Sequence, residues 1–222
     1  MIQAVIFDLD GVIIDSEPIH FRLENQMLEE LNIVLTLQDY SSFVGTSTQT
    51  MWQRIIDKHQ LPYSASELAE KNHARYLEIL GQSKELTPIP GISALIKGLY
   101  ENNFKIAVAS SSVPDIIAAV LEKFNLSGFF LTTVSGAELP HSKPHPGIFL
   151  KTAELINCSP SECLVIEDSK NGIVAAKAAG MRCIGFLNPN SGVQDLSKAD
   201  VIIKSFKEIS VNFIRNLQSS PE

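Results

Sequence analysis

No run of lysine or arginine occurs anywhere in this chain of 222 residues. With 25 acidic residues against 18 basic ones and a formal net charge of −7, nothing in the sequence suits a nucleic-acid groove or an anionic membrane surface. Long hydrophobic runs are missing as well. Segments such as Val165–Ile166 and Ala118–Leu121 are far too short to span a bilayer. The N-terminus has no basic segment and reaches Asp8 almost at once, so a secretory leader is not expected and a cytoplasmic location is. Cysteine is scarce. Cys158, Cys163 and Cys183 are odd in number and fit no zinc spacing, which predicts reduced thiols packed as small hydrophobes. Thiol-based phosphate chemistry is also set aside. It needs an arginine shortly after the cysteine, and Leu164, Ser169 and Pro189 stand there instead. Repeats and low-complexity segments are absent. What remains is ordinary globular composition, 45% hydrophobic and 19% charged, in a length that fits one core with a smaller inserted domain.

Short apolar or β-branched runs recur at Ala4–Phe7, Ile106–Ala109, Leu131–Val134, Leu164–Ile166, Cys183–Phe186 and Val201–Ile203. None alternates cleanly, as expected of strands buried on both faces. Helical patterns lie between them. Ser112–Phe124 has Ser112 as expected N-cap, Pro114 near the first helical position and Asp115 in the first turn. Pro146–Ile156 follows a proline-rich loop, and Lys170–Ala179 stops at Gly180. Strand and helix in alternation predict a parallel α/β sheet. Between Glu17 and about Leu80 only helical patterns occur, at His20–Leu31, Gln49–His59 and Ser66–Leu80. In the first of these, Phe21, Leu23, Met27, Leu28 and Leu31 are the candidate apolar positions. This block reads as an all-α insertion at 16–83. The core then comprises 1–15 and 84–222, with 87–91 as the return linker and hinges near 12–17 and 84–90.

Four strand ends carry chemistry. The first closes with Phe7-Asp8-Leu9-Asp10-Gly11, two acids one residue apart before a turn; Asp and Gly also favour turns on their own account. The second closes with Ser110-Ser111-Ser112 before a helix, where hydroxyls and free N–H groups suit a phosphate or simply cap the helix. The third leads to Ser142-Lys143-Pro144-His145-Pro146, one lysine stiffened by two prolines, or a solvated loop. The fourth closes with Glu167-Asp168-Ser169. This adjacent acid pair suits Mg²⁺, or caps the following helix. Taken together the four share the carboxyl edge of the predicted sheet, where open α/β sheets bind ligands. Their joint chemistry is phosphoryl transfer. Asp8 can attack phosphorus, Asp10 can exchange the proton, and Mg²⁺, Lys143 and Ser110 can neutralise the equatorial oxygens.

With those motifs in that order and spacing, the chain resembles the haloacid dehalogenase-like superfamily over nearly its whole length. The helical insertion after the first motif resembles the subgroup with an α-helical cap over a Rossmann-like, doubly wound parallel core. The resemblance implies Asp8 as nucleophile and Asp10 as general acid/base, with Ser110 and Lys143 on the transferring phosphate. It implies Mg²⁺ held by Asp8, the Asp10 carbonyl, Glu167 and Asp168. Gly11, Ser111, His20, Gly45 and Ser47 are the further candidate substrate contacts, His20 at the position that restrains the general acid. Asp10 and the Glu167-Asp168 pair favour phosphatases over true dehalogenases. The nearest branches are the β-phosphoglucomutases and the sugar phosphatases, the latter through Asp15-Ser16-Glu17-Pro18.

The mutase branch holds a distal phosphate with an arginine in a Gly-x-Ser-Arg stretch and with Lys and Asn after the second motif. Here Thr48 follows Gly45-Thr46-Ser47, and Val113 and Pro114 occupy the other two positions. The expectation is therefore a monomeric hydrolase of a small phosphate ester, a sugar phosphate. The alternatives are a phosphosugar mutase and, in another class, a phosphoacceptor signalling domain or a non-catalytic binding protein. Lys71, His73 and Arg75 read as a solvated helix face, Trp52 and Phe43 as cap core, and His141 and His145 as loop surface.

Overall fold

The computed structural model describes residues 1–83 and 86–217. Six parallel strands form one sheet in the order β3-β2-β1-β4-β5-β6. They are β1 (Ala4–Phe7), β2 (Lys105–Ser110), β3 (Thr132–Ser135), β4 (Cys163–Glu167), β5 (Arg182–Phe186) and β6 (Val201–Ile203). The chain switches direction between β1 and β4, the central pair, where Phe7 lies opposite Ile166. That is the topological switch point of a Rossmann-like fold, and ligands bind beyond the carboxyl ends of such strands.

Alternate residues of each strand enter opposite faces. Val5, Phe7, Ile106, Val108, Leu164 and Ile166 pack with helices α5 (Ile92–Glu101), α6 (Pro114–Lys123) and α9 (Val211–Asn216). Ala4, Ile6, Ala107, Ala109, Cys163 and Val165 pack with α7 (Gly147–Leu155) and α8 (Lys170–Ala178). Two-sided burial explains why the strands read as continuous apolar runs.

Between β1 and α5 lie α1 (Glu17–Glu30), α2 (Leu37–Phe43), α3 (Thr48–His59) and α4 (Ala65–Gln82), which form the helical cap. Met27, Leu28, Trp52, Ile55, Leu68 and Tyr76 are buried among them. Thr36 and Ser64 begin α2 and α4 with reciprocal capping boxes. The two connections to the cap run side by side: Ile89 N donates to Ile13 O at 3.0 Å and Asp15 N to Thr87 O at 3.2 Å. The expected restart of the core at residue 84 lies outside the described residues.

The sequence pattern missed α2, α5 and α9. Phe21, expected on the apolar face of α1, is exposed and meets Tyr40 edge to face instead. Val113, not Ser112, is the N-cap of α6, because the Ser112 hydroxyl is turned to Asp10. Lys71 and Arg75 both pair with Glu30 on the outer cap surface, as a solvated face predicts. Cys163 and Cys183 are buried free thiols and Cys158 is partly buried. Among the described residues no helix is long and apolar enough to cross a membrane.

Candidate active site

The carboxyl ends of β1, β2 and β4 and the loop after β3 converge. Asp8 leaves β1 and is almost fully buried. Lys143 arrives from the loop between β3 and α7 and is only 2% exposed; it is not the solvated lysine that its loop suggested. Its Nζ donates to Asp8 Oδ1 at 2.8 Å, to Glu167 Oε1 at 2.7 Å and to Ala109 O at 3.2 Å. Burial opposes the ammonium form, yet Asp8 and Glu167 outweigh it and hold the Lys143 pKa above the ordinary lysine value. Glu167 is fully buried, and its Oε2 accepts from Ser169 N at 2.8 Å and Ser169 Oγ at 2.9 Å. Ser169 also caps α8, accepting from Gly172 N at 3.0 Å. Both Glu167 oxygens are thus occupied, while Asp168 faces the cavity.

Asp8, Glu167 and Asp168 offer oxygens that all lie within 4.8 Å of one another. Three carboxylates around one ammonium leave negative charge in excess. Burial, opposed by Lys143 and reinforced by Glu167, raises the Asp8 pKa to about 7. Asp168 is raised well above its ordinary value by burial and then by Glu167. Buried, mutually repelling oxygen donors of this kind fit a hard divalent cation. The Asp10 carboxylate is not in that cluster. Its Oδ1 accepts from Ser16 Oγ at 2.6 Å and lies 3.3 Å from His20 Nε2; its Oδ2 accepts from Ser112 Oγ at 2.7 Å. Burial works against ionisation here, but the His20, Ser16 and Ser112 contacts overcome it and bring Asp10 down to about 2. Burial likewise opposes the His20 cation, and Asp10 raises it to about 9. The ring stacks on Tyr76 with centroids 4.3 Å apart.

Ser110, Ser111, Ser112, His20 and Gly45 all line a cavity of about 70 Å³ between sheet edge and cap. Ser110 Oγ accepts from Ser112 N at 3.0 Å. Ser111 Oγ donates to Gly45 O at 2.9 Å, so the cap loop is latched to the second motif. Two expected substrate contacts sit elsewhere. Ser47 caps α3, accepting from Thr50 N at 3.2 Å. Gly11 lies beneath Asp168, at φ +75°, where a Cβ would come within 2.0 Å of Asp168 Oδ2. Phe43, expected in the cap core, lines the cavity with Glu17, Glu24, Tyr40, Thr46 and Thr48. Trp52 is fully buried in the cap as expected, and His141 and His145 are exposed on their loop.

Sequence patterns missed a supporting loop after β5. Asn188 Nδ2 donates to Gly11 O at 3.0 Å. Ser191 Oγ donates to Asp168 Oδ2. Gln194 Nε2 donates to Ser41 O on the cap at 3.1 Å. Each contact joins residues far apart in sequence, so no local signal marks them. Gly172 is a more local case: a Cβ there would fall 1.7 Å from Oε1 of nearby Glu167.

Residues 5–186 match the haloacid dehalogenase-like hydrolase family. The chain belongs to that family and is a hydrolase enzyme. It is 31% identical over 218 residues to hexitol phosphatase B of Escherichia coli K12, covering 94% of this chain and 95% of that protein. It is also 31% identical over 221 residues to β-phosphoglucomutase of Bacillus subtilis, covering 96% and 93%. The crystal structure of β-phosphoglucomutase from Clostridium difficile superposes with a TM-score of 0.85 at 29% identity, over 97% of this chain and 96% of that one. CbbY from Rhodobacter sphaeroides, solved in complex with phosphate, shares the fold, with a TM-score of 0.87 at 24% identity over 97% and 100%.

Proposed function

We propose that this hydrolase releases phosphate from a small phosphorylated metabolite, a sugar phosphate, in two in-line transfers through Asp8. The observation that carries the reading is Lys143 clamped between Asp8 and Glu167 beside Asp168, under a cap latched by Ser111. Asp8 attacks phosphorus; its bond to phosphorus forms as the bond to the leaving oxygen breaks. The Asp10–His20 pair holds one proton at neutral pH, which Asp10 passes to that oxygen. In the second transfer Asp10 takes a proton from water, which attacks phosphorus and frees Asp8. Lys143 and Ser110 face the transferring group's charge.

Asp8, Asp168, Glu167 and the Asp10 carbonyl are the residues that would hold Mg²⁺. When bound, the ion neutralises the phosphoryl oxygens and the carboxylate excess. We read 16–83 as a cap domain moving on the paired connections at 13–15 and 87–89, closing to exclude water from the first transfer. The working form is taken as a cytoplasmic monomer. Thr48 on the cavity wall, with Val113 and Pro114 after the second motif, supports hydrolysis over mutase chemistry, since none of the three carries a positive charge for a second phosphate. The names of the relatives, a hexitol phosphatase and a phosphoglucomutase, support a sugar-like substrate.

The test is phosphate release from a panel of sugar phosphates with and without Mg²⁺, wild type beside Asp8→Asn. Release by wild type with Mg²⁺, reduced at least about 10⁴-fold in the variant, is expected of a lost nucleophile. Conversion of a hexose 1-phosphate to its 6-phosphate without net phosphate release would overturn the reading in favour of the mutase.

A further inference from the structure

Glu17, His20 and Glu24 project from one face of α1, three and four residues apart, and all three line the cavity. His20 is taken up by Asp10. Glu17 and Glu24 feel the His20 charge, but among the described residues neither carboxyl has a hydrogen bond or an ion pair. Yet Glu17 is only 8% and Glu24 only 9% exposed. Their side chains are largely buried but both line the cavity, so their acceptor capacity is open to whatever enters it. Around them stand Tyr40, Thr46 and Thr48, and among the described residues no lysine or arginine lines the cavity.

We infer that Glu17 and Glu24 form the subsite for the alcohol part of the substrate, taking hydrogen bonds from its hydroxyls and rejecting any substrate with a second negative charge. This rests on the phosphatase reading and adds to it the class of alcohol: polyhydroxylated, without carboxylate or second phosphate. Two features support it independently of the core motifs. The groups placed on the phosphate itself, Asp8, Ser110 and Lys143, all come from the core, so the cap wall beyond His20 faces what lies past the phosphate. Burial, opposed in part by His20, also raises Glu17 to about 8 and Glu24 to about 7; a carboxylate or phosphate placed beside them would meet the same unfavourable field. Glu24 is the specificity-determining residue in this account, because it stands a full turn beyond the His20–Asp10 pair.

A matched pair of substrates tests it. Sorbitol 6-phosphate and 6-phosphogluconate differ only in a terminal carbinol against a carboxylate. Assayed above pH 8, where both carboxyls are ionised, like-charge juxtaposition in a desolvated site predicts kcat/KM at least about 100-fold higher for the carbinol. Glu24→Gln should narrow that ratio at least about tenfold, mainly by lowering KM for the carboxylate. Equal rates on the two substrates with the wild-type enzyme would overturn the inference whether or not the variant folds. So would an unchanged ratio in a folded Glu24→Gln. p-Nitrophenyl phosphate separates the two levels of the argument. If it is turned over with Mg²⁺ while the pair is not discriminated, only the subsite fails. If no phosphate ester is turned over, the phosphatase reading fails and the subsite with it.

Discussion

The two walls of the cavity are built on opposite plans. On the sheet side each charged group is answered: Lys143 by Asp8 and Glu167, Glu167 again by Ser169, Asp168 by Ser191, Asp10 by Ser16 and Ser112. On the cap side Glu17 and Glu24 are buried without such partners among the described residues. A connected network fixes geometry, which is what a reaction common to many substrates requires. An unsaturated wall leaves its bonding capacity for the molecule that enters. In the proposed reading the contrast separates chemistry from selection, the sheet edge doing the first and the cap the second.

Substitutions on each wall should therefore fail differently. The largest effect on stability is expected at Lys143→Met in metal-free protein. Removing the ammonium leaves Asp8 and Glu167 facing each other in the interior, and breaking such a pair costs about 3–5 kcal/mol. Denaturant unfolding measures this, and a loss below about 1 kcal/mol would mean that the network is far less coupled than its distances imply.

Glu24→Gln should show the opposite sign on the cap wall. Burial raises Glu24 to about 7 from an ordinary value of 4.5. The folded state therefore holds a proton that the unfolded chain has lost, so its contribution is complete below about pH 4.5. That contribution drains away as pH rises through 7, by on the order of 3 kcal/mol. Glutamine does not titrate. The variant should gain on the wild type between pH 4.5 and 7 and hold that gain above, in unfolding curves collected across that range. A parallel pH profile for the two proteins would remove the unsaturated wall from the account.

Gly172→Ala is expected to cost less, about 1–3 kcal/mol, because the added Cβ would drive into Glu167 Oε1 and push that carboxylate off Lys143. Its signature is a loss of Mg²⁺ affinity larger than the loss of stability suggests, read by titrating the ion into both proteins.

Much of this was legible beforehand, for a physical reason. Strands buried on both faces leave continuous apolar runs, and β1 and β6 fall where those runs predict. The acids Asp8, Asp10, Glu167 and Asp168 stand at or just beyond strand ends, so locating the strands located them. What stayed hidden depends on how side chains pack once the chain is folded. Gly172 looks like an ordinary helix glycine until Glu167 is packed against it. Ser112 looks like a cap until its hydroxyl is seen on Asp10, and Ser191 and Gln194 give no local sign that they hold Asp168 and the cap. Glu24 was hidden for a different reason: a glutamate on an amphipathic helix reads as solvent-facing unless the cap's seat on the core is known.

The central claim is that phosphate is carried on Asp8. Brief mixing of the enzyme with Mg²⁺ and a sugar phosphate, an acid quench and borohydride reduction would convert an aspartyl phosphate to homoserine, which peptide mass spectrometry can place. The account predicts the reduced residue at position 8, in amounts that rise and fall with turnover. Steady phosphate release with Asp8 unmodified at every quench time would contradict it.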